Sequence, residues 1–359
     1  MLSQAPPAGR AKVVAPPVRG EWTERLYALL GLTGLGDGPP FSAADGVPDG
    51  APDASQTAAI LDDHDLQMAL YLCYELHYAG LEGVPDEFEW SPVVLMFRAA
   101  LEDRFAQGVR ALVGEPDPAP DGERTGEALR RLVAQDTAPA LSRYMQTQAT
   151  KEQVLEHVVH RSAYQLKEAD PHSWAMPRLT GRAKAALVEV QADEYGGGRA
   201  ERMHSVLFAN TMRGLGLNPR YGAYLPYLPG ITLATVNLMS WFGLHRHWRG
   251  AVAGHLAVFE MTSSAPNRRY GDALRRLGYG PQVTDFYDEH VEADSVHENI
   301  AAYDLAGGLA RQEPDLAGDI IFGVEALLAC ERRFASHILD SWTAGMSSLR
   351  EERPALLPV

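Results

Sequence analysis

Along most of this chain apolar residues recur every three to four positions, the spacing of one buried helix face. Leu66, Leu70 and Cys73 mark such a face within 57–80, and Leu95, Ala99 and Leu101 mark another within 92–112. Past residue 123 the pattern is almost wholly helical. It predicts helices near 124–135, 137–169, 181–215, 229–264, 266–278, 282–308 and 314–349. Alternating runs of Val, Ile and Thr are nearly absent, as are Asn-Gly hairpin turns, so strands are not expected. Two stretches rich in Gly, Pro and Asp, 34–56 and 114–122, cannot sustain a helix. No repeat of 20–50 residues stands out, which disfavours a solenoid. The expected architecture is all-α: a helical bundle over 123–350, preceded by an N-terminal extension with accessory helices over 1–122.

The most apolar window, Leu228 to Leu244, contains Pro229, Asn237 and two glycines and is short for a bilayer. It reads as a buried helix, with no membrane partner. The first twenty residues lack the continuous apolar core of a signal peptide, so a soluble cytoplasmic protein is expected. Composition narrows the chemistry. Of 359 residues 46% are apolar and 22% charged, enough for a substantial core. The formal charge of −15 disfavours a nucleic-acid partner. Two cysteines, Cys73 and Cys330, exclude a disulfide scaffold, a four-thiolate iron–sulfur cluster and a Cys-based zinc site, and suit a reducing compartment. There is no phosphate-binding G-x-x-x-x-G-K-[ST] and no G-x-S-x-G nucleophile elbow. Gly196 to Gly198 lie between helical stretches rather than after a strand, which argues against a dinucleotide site.

Carboxylates and imidazoles gather in four places. His290, Asp294 and His297 stand at i, i+4 and i+7, one narrow stripe of a helix flanked by Phe286, Val291 and Ile300. Two imidazoles and a carboxylate on one inward stripe suit a transition metal; a solvated helix face is the plainer alternative. Glu201 and His204 form a Glu-x-x-His pair able to chelate from one helix, as in di-iron carboxylate bundles. Glu194 lies two turns earlier on the same face if the helix continues through the glycines. Glu156, His157, His160 and Glu168 share the segment 152–174, where salt bridging or an amphipathic surface is the alternative. Glu260 follows the apolar run Ala251 to Phe259, and a carboxylate buried there needs a proton, a cation or a metal. An arginine of 245–250 is the alternative partner. Trp174, Tyr195, Phe208, Trp241 and Tyr287 are aromatic candidates for a pocket wall, or ordinary core.

The order and spacing of these groups resemble the haem-oxygenase-like diiron oxidases, the iron-containing redox enzymes. That pattern runs Glu, then Glu or Asp-x-x-His, then Glu, then His-x-x-x-Asp-x-x-His. Here those positions are Glu168; Glu201 and His204; Glu260; and His290, Asp294 and His297. The resemblance covers roughly 150–310. It implies a haem-oxygenase-like helical bundle holding two non-haem Fe(II)/Fe(III) ions. It further implies an O2-activating oxidase or oxygenase working through a peroxo-diferric intermediate. The substrate would be a small amine, amino acid or fatty-acid-like molecule, and the outcome N-oxygenation or oxidative C–C cleavage. It assigns Glu201, His204 and His290 to one iron and Glu168, Asp294 and His297 largely to the other. Glu260 supports the first iron, and Glu194 is a secondary ligand or a neighbour of the ligands. A homodimer is the expected assembly. The competing readings are a ferritin-like protein, a haem-oxygenase-fold protein without a diiron site, and a metal-free helical interaction protein.

Overall fold

A computed structural model describes residues 11–32, 57, 59–116 and 124–350, apart from the side chains of 292–296. The helices are α1 (Glu21–Leu30), α2 (His64–Glu75), α3 (Pro92–Val113), α4 (Thr125–Gln135), α5 (Leu141–Thr147), α6 (Lys151–Gln165) and the single turn α7 (Asp170–Ser173). They continue as α8 (Gly181–Glu194), α9 (His204–Gly214), α10 (Gly230–Leu244), α11 (Arg249–Arg276) and α12 (Pro281–Asn299). A π-helical segment over Ile300–Ala306 leads into α13 (Gly307–Gln312), and α14 (Ala317–Thr343) follows. Among the described residues no strand forms; one isolated bridge joins Val13 and Leu81.

Two helices organise the packing. α10 is buried along its whole length from Gly230 to Gly243, because its sequence is apolar or small on every face. α11 lies against α12 on one side and α14 on another. The α11–α14 crossing depends on two glycines. A Cβ on Gly254 would collide with the carbonyl oxygen of Ile320, and one on Gly323 with that of Ala251. The two backbones therefore touch directly, and this draws the centre of α11 into the core.

The helices before residue 123 join the same apolar core, with α2 packing along α10 and α3 along α14. α1 is not among the expected helices; its start is capped by Thr23 of its own first turn, which accepts from the Arg19 amide at 2.8 Å, and by a residue of α2. Asp65 accepts hydrogen bonds from the Trp22 and Thr23 amides at 2.7 and 3.0 Å, and from the Thr23 hydroxyl at 2.7 Å.

Several expected boundaries move, each for a local reason. The helix expected over 137–169 is divided by Thr150, whose hydroxyl and Gln153 form a capping box that starts α6. The break expected before Pro266 does not occur. α11 runs through Pro266, and the interruption falls instead at His245, where the backbone turns extended. The helix expected over 181–215 ends at Glu194, because Gly196, Gly197 and Gly198 all take positive φ (68, 59 and 81°). The helix expected over 57–80 is reduced to α2 behind an Asp63 cap. The stretch 34–56 and the expected boundary at 122–123 lie outside the described residues.

The glycine crossing yields a first prediction. Gly254→Ala should destabilise the protein by about 1–3 kcal/mol, the usual effect of overpacking a close contact. Denaturant unfolding would show it as a lower midpoint with an unchanged slope.

Candidate metal centre

Five segments converge between α6, α8, α11 and α12. Glu168 sits in the turn that follows α6, Glu194 is the last residue of α8, and His204 is the first of α9. Glu260 lies midway along α11, and His290 and His297 are on α12. All six side chains are buried. They form two clusters whose potential ligand atoms lie within 4.8 Å of one another: Glu168, Glu194, His204 and His290; and Glu194, Glu260 and His297. Glu194 belongs to both.

Where the sequence pairs Glu201 with His204, the structure pairs Glu194 with His204. Glu201 is exposed on a 3-10 turn, Ala200–Arg202, and is not part of either cluster. The reason is the glycine run, which ends α8 and re-aims the chain before α9 begins. Glu201 and His204 therefore do not share a helix face, while the final turn of α8 carries Glu194 into the site. The grouping also differs from the expected one. Glu168 stands with His204 and His290, and Glu260 with His297. The Asp294 side chain lies outside the described residues.

Hydrogen bonds outside the clusters fix how the imidazoles face. His290 Nδ1–H donates to the Phe286 carbonyl one turn back at 2.7 Å, leaving Nε2 directed at Glu168 Oε1, 3.5 Å away. His297 Nε2 lies 2.9 Å from Asp193 Oδ2, and its Nδ1 is 3.4 Å from Glu260 Oε2. Each ring thus uses one nitrogen for support and turns the other inward, the pattern of metal-ligating histidines. His204 Nδ1 lies 2.9 Å from Glu194 Oε2, its ring 4.3 Å from that of His290 between centroids.

Burial and mutual charge set the titration of the metal-free site. Burial pushes the Glu168 carboxyl up, against the pull of His290. Burial acts the same way on Glu194, but His204, His290 and His297 outweigh it and hold that carboxyl at about 2. Burial would depress His297, yet Glu260 and Asp193 raise it to about 9.

The donors suit an iron ion. Glu168 Oε2 is buried and makes no hydrogen bond within the protein, a costly state that a cation would relieve, and His204 Nδ1 and His297 Nδ1 face carboxylate oxygens at 2.9 and 3.4 Å. The mixture of carboxylate oxygen and imidazole nitrogen is one that iron accepts.

A profile described as iron-containing redox enzyme matches residues 155–332, a stretch that holds both clusters. This part of the chain belongs to the iron-containing redox enzymes. Its all-α architecture is the haem-oxygenase-like helical bundle, with extra N-terminal helices. The chain is also similar to nitrosourea synthase from Streptomyces achromogenes subsp. streptozoticus, with 28% identity over 162 residues. That match takes in 45% of this chain and 34% of the relative, so the chain spans about a third of the relative's length. The description of that family joins iron with redox chemistry. No helix among the described residues is long and apolar enough to cross a membrane.

The glutamate of the first core segment is held by a part of the chain that precedes the matched stretch. Lys167, fully buried, pairs with the equally buried Glu75 at the end of α2. Its Nζ lies 4.3 Å from the centre of the Tyr78 ring and 4.5 Å from that of Tyr71. Tyr221 donates to Glu75 Oε1 at 2.5 Å, and its hydroxyl is 2.7 Å from that of Tyr71. On the other side of Glu168, Ala169 has φ of 73°, an unusual conformation for a residue with a Cβ, and its carbonyl accepts from Gln191 Nε2 at 2.8 Å. The turn that presents Glu168 is fastened at both neighbours.

A cavity of about 220 Å3 opens against the first cluster, with Glu168, Glu194, Glu260 and His290 in its wall. Of the five aromatic candidates, Tyr287 lines it. Trp174 packs edge-on against Tyr78, Tyr195 donates to Asp170, Phe208 lies against Phe286, and Trp241 stacks with Phe242. Tyr164 and Phe259, which sequence reasoning did not single out, form an edge-to-face pair in the cavity wall. Glu156 and His160 turn away from the clusters: Glu156 binds Trp342, Ser347 and Ser348, and His160 binds Thr232 and Ser348.

Two outcomes are expected. Lys167→Met leaves Glu75 buried without its cation and should cost about 3–5 kcal/mol in denaturant unfolding, with part recovered in Glu75→Gln/Lys167→Met. His297 is raised in the folded state, so its contribution is complete below about pH 6.5 and is lost as pH rises towards 9. Metal-free protein should therefore lose stability across that window. His297→Ala should flatten the loss, as unfolding midpoints measured from pH 6 to 10 would show.

Proposed function

We propose that this chain is an O2-activating non-haem diiron oxidase or oxygenase acting on a small organic molecule. The observation that carries the reading is Glu194, one buried carboxylate shared by two ligand clusters. A shared carboxylate is what a pair of ions held side by side requires. In this reading Glu168, Glu194, His204 and His290 hold one iron. Glu194, Glu260 and His297, with Asp294 on the same helix, hold the other. Glu201 is no ligand. The two ferrous ions supply electrons for the reduction of O2 when bound.

The chain's own residues do the rest. Phe286 and Asp193 hold the two histidines of α12 in one tautomer, with a nitrogen turned inward. Glu168 and Glu260, facing the imidazoles of His290 and His297, keep carboxylate oxygens available to a metal. Tyr164, Phe259 and Tyr287 wall the adjoining cavity and limit water beside the reacting atoms. Substrate would enter through the cavity beside Glu168 and Glu260.

The candidate substrates are amines, amino acids and fatty-acid-like molecules. A nitrosourea carries an N–N=O group, so the name of the nitrosourea synthase favours a nitrogen-bearing substrate and N-oxygenation over C–C cleavage. A cytoplasmic location and a homodimeric assembly belong to the same proposal.

Anaerobic Fe(II) titration of metal-free protein tests the reading. Uptake should saturate near about two ions per chain. Glu194→Ala should abolish binding of both, Glu168→Ala should weaken mainly one, and Glu201→Ala should leave uptake unchanged. Unaltered uptake in Glu194→Ala, or loss in Glu201→Ala, would refute the assignment.

A further inference from the structure

The cavity beside the metal centre has a second polar station that the centre does not use. His157, Arg161, Tyr164 and Gln165 lie on one face of α6, at i, i+4, i+7 and i+8, and all line the cavity. That face runs about 12 Å along the helix axis, at about 1.5 Å per residue. It ends just before the turn that carries Glu168.

At the far end Arg161 makes a two-pronged ion pair with Glu331 of α14, at 2.9 and 2.8 Å, both side chains in the cavity wall. Arg161 also stacks over Phe334, 4.4 Å from the ring centre. Next to it His157 is 2% exposed, lies 4.6 Å from the Tyr270 ring between centroids, and makes no hydrogen bond from either nitrogen. Burial and the neighbouring guanidinium keep its pKa well below the usual histidine range, so it is neutral, with one donor and one acceptor. Gln165 Oε1 is a further buried acceptor or ligand contact without a hydrogen bond. Leu256, Phe259 and Leu327, with the ring of Tyr164, give the cavity wall an apolar part, beside polar groups such as Gln165, Thr262 and Asn267.

We propose that His157, Arg161 and Glu331 form the head-group site of the substrate, and that the substrate is an α-amino acid whose side chain extends along α6 towards the metal centre. This rests on the diiron reading above and narrows it. A carboxylate fits Arg161 and the His157 N–H, and an ammonium fits Glu331. A head group with one charge only does not match. A fatty acid sets its carboxylate beside Glu331, and a simple amine sets its ammonium beside Arg161; each leaves a buried charge opposed. The apolar part of the wall accepts methylenes, and the groups of the amino acid that are to be oxidised lie at the end beside Glu168.

Three probes on one carbon skeleton test this: L-norleucine, hexanoate, which lacks the ammonium, and n-pentylamine, which lacks the carboxylate. Calorimetry is run on the full chain, both metal-free and loaded with Fe(II) under anaerobic conditions. L-norleucine should bind about tenfold or more tightly than either partial probe. His157→Phe and Arg161→Met/Glu331→Met should each weaken L-norleucine about tenfold or more while iron uptake stays as in the parent protein. The double variant leaves no unpaired charge and guards against simple misfolding. Equal binding of hexanoate or n-pentylamine, no binding of any probe, or variants that bind L-norleucine like the parent would each overturn the proposal. Iron uptake measured in the same samples separates the two readings: its failure refutes the diiron centre, and its persistence without L-norleucine selectivity refutes the head-group site alone.

Discussion

Glu168, Glu194 and Glu260 are buried together inside a helical core, and much of the surrounding structure compensates for that. Each carboxylate taken from water loses solvation worth several kcal/mol, and three close together also repel. The imidazoles of His204, His290 and His297 offset part of this, as the depressed Glu194 and the raised His297 show. Their ligand atoms lie within 4.8 Å of one another in each of the two clusters, and Glu168 Oε2 makes no hydrogen bond. Such a cluster of buried carboxylates and imidazoles is a donor set that a cation would stabilise.

The same economy of charge explains how the first glutamate is held. Lys167 and Glu75 are both buried, and each would be intolerable alone. Together, with Tyr71, Tyr78 and Tyr221 around the ammonium, they tie the turn after α6 to the end of α2. The N-terminal helices are therefore not only a covering layer. They reach a residue next to a metal-facing carboxylate.

Legibility in the sequence followed the regularity of the helices. α12 is regular from Pro281, so the spacing of His290 and His297 could be counted, and the structure turns both rings inward. Glu260 was noticeable because an acidic residue ends an apolar run, and a buried carboxylate stands there. The position of Glu201 was not legible, because counting at 3.6 residues per turn fails across Gly196 to Gly198, where positive φ ends the helix. Glu194 was read through the same false continuity and stood as secondary; the helix end places it between the clusters. Pro266 was read as a boundary, yet α11 is held so firmly by α12 and α14 that one missing amide bond does not end it. At the start of α1 only the Thr23 cap is local; the partner of the Trp22 and Thr23 amides is Asp65, in a different helix, which no local pattern shows.

The π-helical segment over Ile300–Ala306 lies directly after His297, packed against α8 and α11. A π-turn is a helix that has accommodated an additional residue without breaking. It therefore acts as a change of phase. The face that carries the two histidines is set by residues before it, and the face by which Gly307–Gln312 docks is set by residues after it. The orientation of the ligands and the docking of the next helix can be tuned separately. A one-residue deletion there would couple them again, rotating one face by about 100° relative to the other.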